Sequence, residues 1–365
     1  MMRVLLLSRY ARLGASSRLR SYQYLSYLSH ADHEVTVESL FGDDYVRGLY
    51  SGKISRLAVL NAYFARFQNI LKAGKFDLVW LEYEMLPWLP GWLELALLPK
   101  NIPLVVDYDD AVFHRYDQHR FGLVRKVLGN KIDAVMRRAD IVLAGNAYLA
   151  TRAEQAGARR VELLPTVVDA SRYAVIEKRE ASPITIGWIG QPSTAKYLVQ
   201  LMPVLEKIMT KHAACVVAIG PKPEQFQHLP VEVRPWSEAT EVAEIQQFDI
   251  GIMPLSDSVW ERGKCGYKLI QYMACGKSVV ATPIGVNNVI VQHGINGFLA
   301  NTGAEWCAAL DQLCEDAVLR KRMGIEGRKM IEQHYSLQVA APRLAELLCS
   351  AVSRPERSGR GRADG

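Results

Sequence analysis

Three features are scarce in this sequence: cysteine, long apolar runs, and an excess of charge of one sign. Six cysteines occur among 365 residues, with no CxxC pair, which argues against a secreted disulfide scaffold and a structural zinc site. The most apolar segment, residues 85–98, is interrupted by two prolines, a glycine and a glutamate, so it cannot cross a membrane. The first residues hold too few apolar side chains for a signal peptide. We therefore expect free thiols, no bound metal and a cytoplasmic protein.

The composition is that of a soluble globular protein. Lys and Arg number 44 against 38 Asp and Glu, and the resulting net charge of +6 is weak support for binding nucleic acid, so we expect none. Hydrophobic residues make up 49% of the chain, enough to build a substantial core. A chain of this length usually forms two domains.

Short apolar runs alternate with amphipathic stretches along the whole chain. The runs at 3–8, 33–40, 76–82, 103–109 and 140–146 read as one series of buried strands, and those at 184–190, 214–220, 231–236, 248–255 and 277–285 as a second. This alternation predicts an α/β protein with two Rossmann-like, doubly wound domains facing a central cleft. We expect domains at 1–170 and 184–336, a linker at 171–183, a helix at 337–352 that packs back toward the first domain, and a disordered tail at 353–365.

Residues 264–285, KCGYKLIQYMACGKSVVATPIG, carry a motif that continues through Gly294, Asn296, Gly297 and Phe298. This stretch resembles the donor-binding region of the retaining, family-4 type glycosyltransferases of the GT-B fold (glycosyl transferases group 1). The resemblance implies an acceptor-side first domain and a second domain that binds a UDP- or GDP-linked sugar. It also implies that no metal or other cofactor is required.

The chain departs from the family pattern at several positions. The two glutamates of the family are replaced by Gly263 and Gln271, and its Gly-Arg pair is Gly190 and Gln191 here. Lys196 matches the family's lysine that reaches the diphosphate. We keep Gln271 as a contact of the ribose, since an amide oxygen also accepts hydrogen bonds, against the alternative of a surface glutamine.

A departing nucleoside diphosphate needs fixed positive groups. A helix that opens near Gly266 would offer backbone N–H groups to an anion, with Cys265 and Tyr267 in the same turn. Lys264 and Lys268 are four residues apart and share a face if the helix extends back to Lys264. The alternative is a solvated basic helix start.

Other donor contacts are predicted in loops that follow strands. These are Gly14, Gly190, Gln191, Lys196, Trp236 and Gly285. Trp236 would stack on the base or lie buried at a strand end. The glycines would admit a phosphate or the donor sugar, or would simply form turns.

An acidic cluster, Asp107–Asp110, ends a very apolar strand. Three interpretations remain open: Asp109 and Asp110 bind acceptor hydroxyls or act as a base, they hold a metal ion, or they cap the next helix. His114, just beyond, is a candidate contact of the donor sugar.

Basic residues mark two acceptor or membrane candidates. Arg12 and Arg18 lie where an anionic, lipid-linked acceptor would enter, or are solvated. Arg125 and Lys126 belong to a predicted helix at 121–138, which either lies on an acidic membrane surface or is an ordinary core-facing helix.

The leading hypothesis is a cytoplasmic glycosyltransferase, peripheral to the inner face of the plasma membrane. It would act in bacterial surface polysaccharide synthesis, of which lipopolysaccharide is one example, and retain the anomeric configuration. The alternatives are a GT-B sugar-nucleotide epimerase and a degenerate, non-catalytic transferase that serves as a scaffold.

Overall fold

A computed structural model of the chain describes residues 1–176 and 183–353. Two six-stranded sheets, each parallel throughout, form its framework, in the orders β2-β1-β3-β4-β5-β6 and β12-β11-β10-β7-β8-β9. The predicted α/β class with two doubly wound sheets is confirmed.

The N-terminal unit contains the first sheet and nine α-helices. Its strands are β1 Met2–Tyr10, β2 His33–Phe41, β3 Leu78–Glu82, β4 Leu104–Tyr108, β5 Ile141–Ala144 and β6 Val161–Leu163. Its helices are α1 Ala15–Arg20, α2 Leu25–His30, α3 Asp43–Ser51, α4 Arg56–Leu71, α5 Gly91–Leu97, α6 His114–Asp117, α7 Gly122–Leu128, α8 Lys131–Arg138 and α9 Ala147–Gln155.

The C-terminal unit contains the second sheet. Its strands are β7 Ile184–Ile189, β8 Ala214–Ile219, β9 Val231–Arg234, β10 Ile250–Met253, β11 Ser278–Ala281 and β12 Gly297–Leu299. Its helices are α10 Ala195–Lys211, α11 Glu241–Gln246, α12 Val259–Arg262, α13 Tyr267–Ala274, α14 Asn287–Ile290, α15 Gly303–Glu315, α16 Ala317–His334 and α17 Leu337–Val352.

The central strands are apolar on both faces because helices cover both sides of each sheet. In β1, Leu5 and Leu7 belong to one core, whereas Val4 and Leu6 belong to the other. Alternate residues of a strand point to opposite faces, so a continuous apolar run fills two cores at once.

The last helix, α17, packs on the N-terminal unit. Leu344 and Leu348 are fully buried in the core that contains Val4 and Leu6. The chain crosses back next to a parallel bridge between Val168 and Ser336. The two units are therefore joined at two places in sequence.

Two helical stretches are each broken into shorter helices. Residues 15–30 form α1, a 3₁₀ turn and α2. The helix expected over 121–138 is α7 and α8, separated at Gly129 and Asn130. The membrane interpretation of that whole stretch is wrong for α8, because Lys131 is buried and its ammonium lies 2.8 Å from Glu84.

Residues 171, 172 and 174–176 of the predicted linker are exposed, whereas Tyr173 is buried in a core of the C-terminal unit. Residues 177–182 of that linker and residues 354–365 of the predicted tail lie outside the described residues.

Candidate active site

The carboxyl ends of the strands in both sheets lead to a cleft between the units, and a loop of the C-terminal unit crosses it. The side-chain amide of Asn146 donates to the carbonyl oxygens of Gly263, at 2.9 Å, and Lys264, at 3.1 Å. The thiol of Cys265 donates to the carbonyl oxygen of Asp109 at 3.1 Å. Residues 263–265 are thereby held directly against the end of β4.

This close approach requires the absence of side chains at two positions. A Cβ atom on Gly263 would lie 2.5 Å from the Cβ of Ala111, and one on Gly145 would lie 2.4 Å from the sulfur of Cys265. Real Cβ atoms do not approach so closely. Gly263, which replaces a family glutamate, therefore has a packing role in this chain.

Lys264 and Lys268 are brought together at the start of α13, but not on one helical face. The helix begins at Tyr267, after Gly266 in the left-handed conformation (φ 67°), so the predicted extension of the helix back to Lys264 is wrong. No side chain caps the first turn of α13. Its N–H groups remain available to an anion.

Burial, reinforced by repulsion from Lys264, lowers the pKa of Lys268 to about 7. Its ammonium lies 5.1 Å from the centre of the Trp188 ring. Across residues 1–176 and 183–353, neither lysine is within ion-pair distance of a carboxylate. The cleft thus presents two neighbouring cationic groups and an uncapped helix start, an arrangement that favours a multivalent anion.

Asp110 faces this cationic region from the N-terminal unit. Burial raises its pKa to about 6, the charge of Asp109 adds to the increase, and Lys264 opposes it. One Asp110 carboxylate oxygen is buried without a hydrogen-bond partner among the described residues. The carboxylate of Asp109 accepts a hydrogen bond from Tyr83.

The helix-capping interpretation of these acids is wrong, because α6 begins after Phe113 and no side chain caps it. Asp107 has a different role, since its carboxylate forms a fully buried ion pair with Arg20 at 2.8 Å. No group of three or more His, Cys, Asp or Glu among the described residues is arranged to hold a metal ion.

His114 reaches the cleft only through another side chain. Its Nδ1 atom lies 2.8 Å from Asp117 and its Nε2 atom 2.8 Å from the hydroxyl of Tyr148. Tyr148 lines an open pocket together with Arg262 and Gly285. Both ring nitrogens are engaged, so contact of His114 with a donor sugar stays a prediction that requires rearrangement.

Trp236 and Gln271 lie at a polar end of the cleft. The indole N–H of Trp236 donates to Glu241 at 2.9 Å, and the guanidinium of Arg18 lies 5.0 Å above its ring. Gln271 is 2% exposed and donates to the hydroxyl of Tyr173 at 3.2 Å. The interpretation of Gln271 as a surface glutamine is therefore wrong.

The two arginines at this end differ in their partners. Arg18 is buried, with one guanidinium nitrogen unpartnered among described residues, so its interpretation as a solvated side chain is wrong. Arg12 is ion-paired with Glu238 at 2.9 Å. Both line a small pocket that also contacts Glu241 and Tyr267. Arg18 covers the Trp236 ring that would stack on a base.

The remaining predicted residues lie in loops and helix starts of the two units. Gly14 precedes α1, and Gly190 and Gln191 follow β7. Lys196 is exposed in the first turn of α10, with its ammonium 4.9 Å from the ring of Tyr197. On α7, Arg125 and Lys126 are exposed.

Sequence reasoning missed Glu261, Asn146 and Tyr83. Glu261 is 7% exposed and accepts hydrogen bonds from Tyr197 and Ser258. Although burial acts to raise its pKa, these bonds and the charge of Lys264 hold it below the ordinary value. Asn146 is the last residue of the apolar run at 140–146, which is a usable signal. Tyr83 has the positive φ of 62°, which no local sequence pattern indicates.

With this geometry established, comparison with known proteins identifies the second unit. Residues 183–316 match the family described as glycosyl transferases group 1. These residues form a glycosyltransferase domain. The match confirms the predicted resemblance and the predicted enzyme class. No curated protein matches the sequence of this chain significantly.

Solved structures of low sequence identity share the fold over nearly the whole chain. The Anabaena protein Alr3699/HepE in complex with UDP-glucose matches with a TM-score of 0.71 and 17% identity, over 96% of this chain and 100% of that one. Sucrose-phosphate synthase from Thermosynechococcus elongatus matches with a TM-score of 0.71 and 13% identity, over 96% and 99%. A glycosyltransferase from Rickettsia africae matches with a TM-score of 0.70 and 14% identity, over 97% and 99%. These likenesses establish the GT-B fold.

Among the described helices, none is both long and apolar enough to cross a membrane.

Proposed function

We propose that the chain transfers a sugar from a UDP- or GDP-linked donor to a glycan or lipid-linked acceptor. The observation that carries this proposal is the pair Lys264 and Lys268 at the uncapped start of α13, without a carboxylate partner within ion-pair distance among the described residues. A diphosphate placed there would gain two charge-assisted contacts and the positive end of the helix dipole. The complex of HepE with UDP-glucose supports the choice of donor class.

The proposed reaction keeps the anomeric configuration and uses no protein nucleophile. The acceptor hydroxyl attacks on the face from which the diphosphate departs, and a phosphate oxygen takes the proton. Lys264, Lys268 and the N–H groups of α13 stabilise the charge that builds on the leaving oxygen. The proposal requires no metal ion.

Asp109 and Asp110 lie where an acceptor hydroxyl would enter the cleft. The raised pKa of Asp110, about 6, makes it a suitable group to accept a hydrogen bond from a sugar hydroxyl or to move a proton near neutral pH. We place the acceptor on the N-terminal side of the cleft and the reaction in bacterial surface polysaccharide synthesis, at the inner face of the plasma membrane.

Calorimetric titration of the full chain with UDP, GDP and UDP-glucose tests the donor site. We expect the Lys264→Ala/Lys268→Ala variant to bind nucleoside diphosphate at least 100-fold more weakly, since two charged contacts are lost. Lys207→Ala, an exposed lysine of α10, is the matched control and should bind as the wild type does. Equal binding by the double variant, or no binding of any nucleotide by the wild type, contradicts the proposal.

A GT-B epimerase is the second candidate, because Asp109 and Asp110 are two neighbouring carboxylates that can act as acid and base. Exchange of a sugar proton with deuterated solvent, without acceptor, would favour it. A non-catalytic scaffold is distinguished genetically: restoration of glycan in a deletion strain by Lys264→Ala/Lys268→Ala would show that sugar transfer by this chain is dispensable.

A further inference from the structure

One side of the N-terminal unit exposes a row of large apolar side chains on α4. They are Leu57 (67% exposed), Leu60 (67%), Phe64 (64%), Phe67 (38%) and Leu71 (57%). Their spacing of three and four residues places them on one face. The opposite face packs inward through the buried Arg66 and Ile70. A helix that is apolar on a buried and on an open face is unusual in a soluble monomer.

The row on α4 continues across two neighbouring segments. Near α5, Trp88 is 47% and Trp92 71% exposed. On and before α7, Phe121, Leu123 and Val127 are 55%, 73% and 54% exposed.

Direct contacts join these segments into one surface. The hydroxyl of Tyr63 on α4 donates to the carbonyl of Pro87 at 2.7 Å. The rings of Trp88 and His119 are 5.7 Å apart, and those of His119 and Phe121 are 5.4 Å apart. We call the exposed apolar residues of α4, Trp88, Trp92 and those of 121–127 the apolar platform.

The charges around the apolar platform are of one sign. Residues 53–75 contain no acid and four exposed Lys or Arg, and residues 118–132 contain no acid and three exposed ones. The other two basic residues of these stretches, Arg66 and Lys131, are buried. On α5, the single acid, Glu94, is fully buried. Two copies of such a surface would place like charges opposite each other in a two-fold dimer, which disfavours self-association. The charge pattern fits an anionic surface instead.

The apolar platform adjoins the cleft. The first half of α4 lies at the carboxyl edge of the sheet, since Tyr63 contacts Pro87, which follows β3. Trp88 follows β3 and Phe121 follows β4, so both lie beyond that same edge. Asp109 and Asp110 also follow β4 there.

We propose that the apolar platform docks on the surface of a bilayer containing anionic phospholipid, with the mouth of the cleft at the lipid. Exposed tryptophans beside leucine and phenylalanine suit the boundary between headgroups and acyl chains, and the surrounding lysines and arginines suit anionic headgroups. Resting on the proposed function, this assigns the acceptor to the lipid-linked class.

Vesicle flotation with the full chain tests the docking. We compare vesicles of phosphatidylcholine that contain about 30% anionic phosphatidylglycerol with vesicles of phosphatidylcholine alone. We expect the wild type to float with the anionic vesicles and to be released as salt is raised. The Leu60→Ser/Phe64→Ser variant should bind the anionic vesicles at least roughly tenfold more weakly than the wild type, because two apolar side chains that insert into the bilayer are lost.

Two further variants complete the design. The affinity of the Lys72→Glu/Lys126→Glu variant for anionic vesicles should fall more than about tenfold, since each basic residue near an anionic surface contributes roughly fivefold to the affinity. Val318→Ser/Ile325→Ser is the matched control, because both side chains are exposed on α16 of the other unit. The control should float as the wild type does.

Three results would overturn the docking proposal: wild type that stays unbound, binding that Leu60→Ser/Phe64→Ser leaves unchanged, or a wild-type dimer that this variant makes monomeric. UDP affinity, measured on the same variants without vesicles, should be unchanged. If the wild type binds vesicles but no nucleotide, the proposed donor site is contradicted and the docking surface is supported. If it binds nucleotide but no vesicles, the docking surface is contradicted and the donor site is supported.

Discussion

The side-chain amide of Asn146 donates a hydrogen bond of 2.9 Å to the carbonyl oxygen of Gly263, from one unit to the other. The same side chain caps α9, since its oxygen accepts from the N–H of Leu149 at 3.0 Å. One residue thus starts a helix of the N-terminal unit and holds the lysine-bearing loop of the C-terminal unit.

Asn146→Asp separates these two roles. The carboxylate keeps the helix cap but has no donor for the carbonyl oxygens of Gly263 and Lys264. We expect UDP to bind about tenfold more weakly, while the melting temperature changes by only about 2 °C. Asn146→Ala loses the cap as well and should melt lower than Asn146→Asp. Calorimetry and thermal melting measure both, and wild-type UDP affinity in Asn146→Asp would refute the role across the cleft.

Gly263→Ala should hold the units apart. Its new Cβ would meet that of Ala111 at 2.5 Å, so the loop must withdraw and take Lys264 with it. Because each unit has its own core, we expect unchanged circular dichroism, a larger radius of gyration by X-ray scattering, and weaker UDP binding. Gly42→Ala is the control, since a Cβ there meets nothing within 4 Å. A wild-type radius and affinity in Gly263→Ala would show that the close approach is not needed.

Binding of a diphosphate should take up a proton at Lys268. With a pKa near 7 the amine is mostly neutral at pH 8, and a bound anion favours the ammonium. The UDP-binding enthalpy at pH 8 should therefore vary with the ionisation enthalpy of the buffer, with a slope that corresponds to the uptake of at most about one proton. At pH 5.5 the amine is already protonated, so this dependence on the buffer should vanish. UDP affinity should fall as pH rises from 7 to 9. Lys268→Ala should abolish the buffer dependence and Lys207→Ala should retain it; a dependence that persists in Lys268→Ala assigns the proton elsewhere.

Asp110→Asn should stabilise the protein at neutral pH while impairing transfer. The folded carboxyl has a pKa of about 6 against 3.8 ordinarily, so the folded chain binds more protons between these values. The free energy of unfolding of the wild type therefore falls as pH rises from 4 to 6.

The amide of Asp110→Asn avoids that loss, so we expect a gain of about 1–2 kcal/mol at pH 7.5 and little at pH 4, measured by denaturant unfolding. Transfer should slow about tenfold, because an amide is a weaker hydrogen-bond acceptor for the sugar hydroxyl than a carboxylate is. Glu326→Gln, on the surface of α16, is the control. Equal stability of Asp110→Asn and wild type at pH 7.5 would contradict the burial of this charge.

The two sheets and the lysine-bearing motif could be predicted from the order of amino acids alone, because both depend on short-range patterns. Apolar runs such as 3–8 and 184–190 are short and alternate with amphipathic stretches, which favours buried strands between helices. Lys264 and Lys268 belong to one contiguous motif, which also contains Gly266, the glycine that precedes α13.

Which residues meet across the cleft and which side chains remain exposed depends on how distant parts of the chain pack together. Asn146 and Gly263 are 117 residues apart, and nothing local indicates their hydrogen bond. Arg18 and Arg20 look alike in sequence, yet one covers Trp236 and the other pairs with Asp107. Phe64 is a large apolar side chain and yet is exposed, because burial depends on what packs against a face of a helix and not on the residue alone.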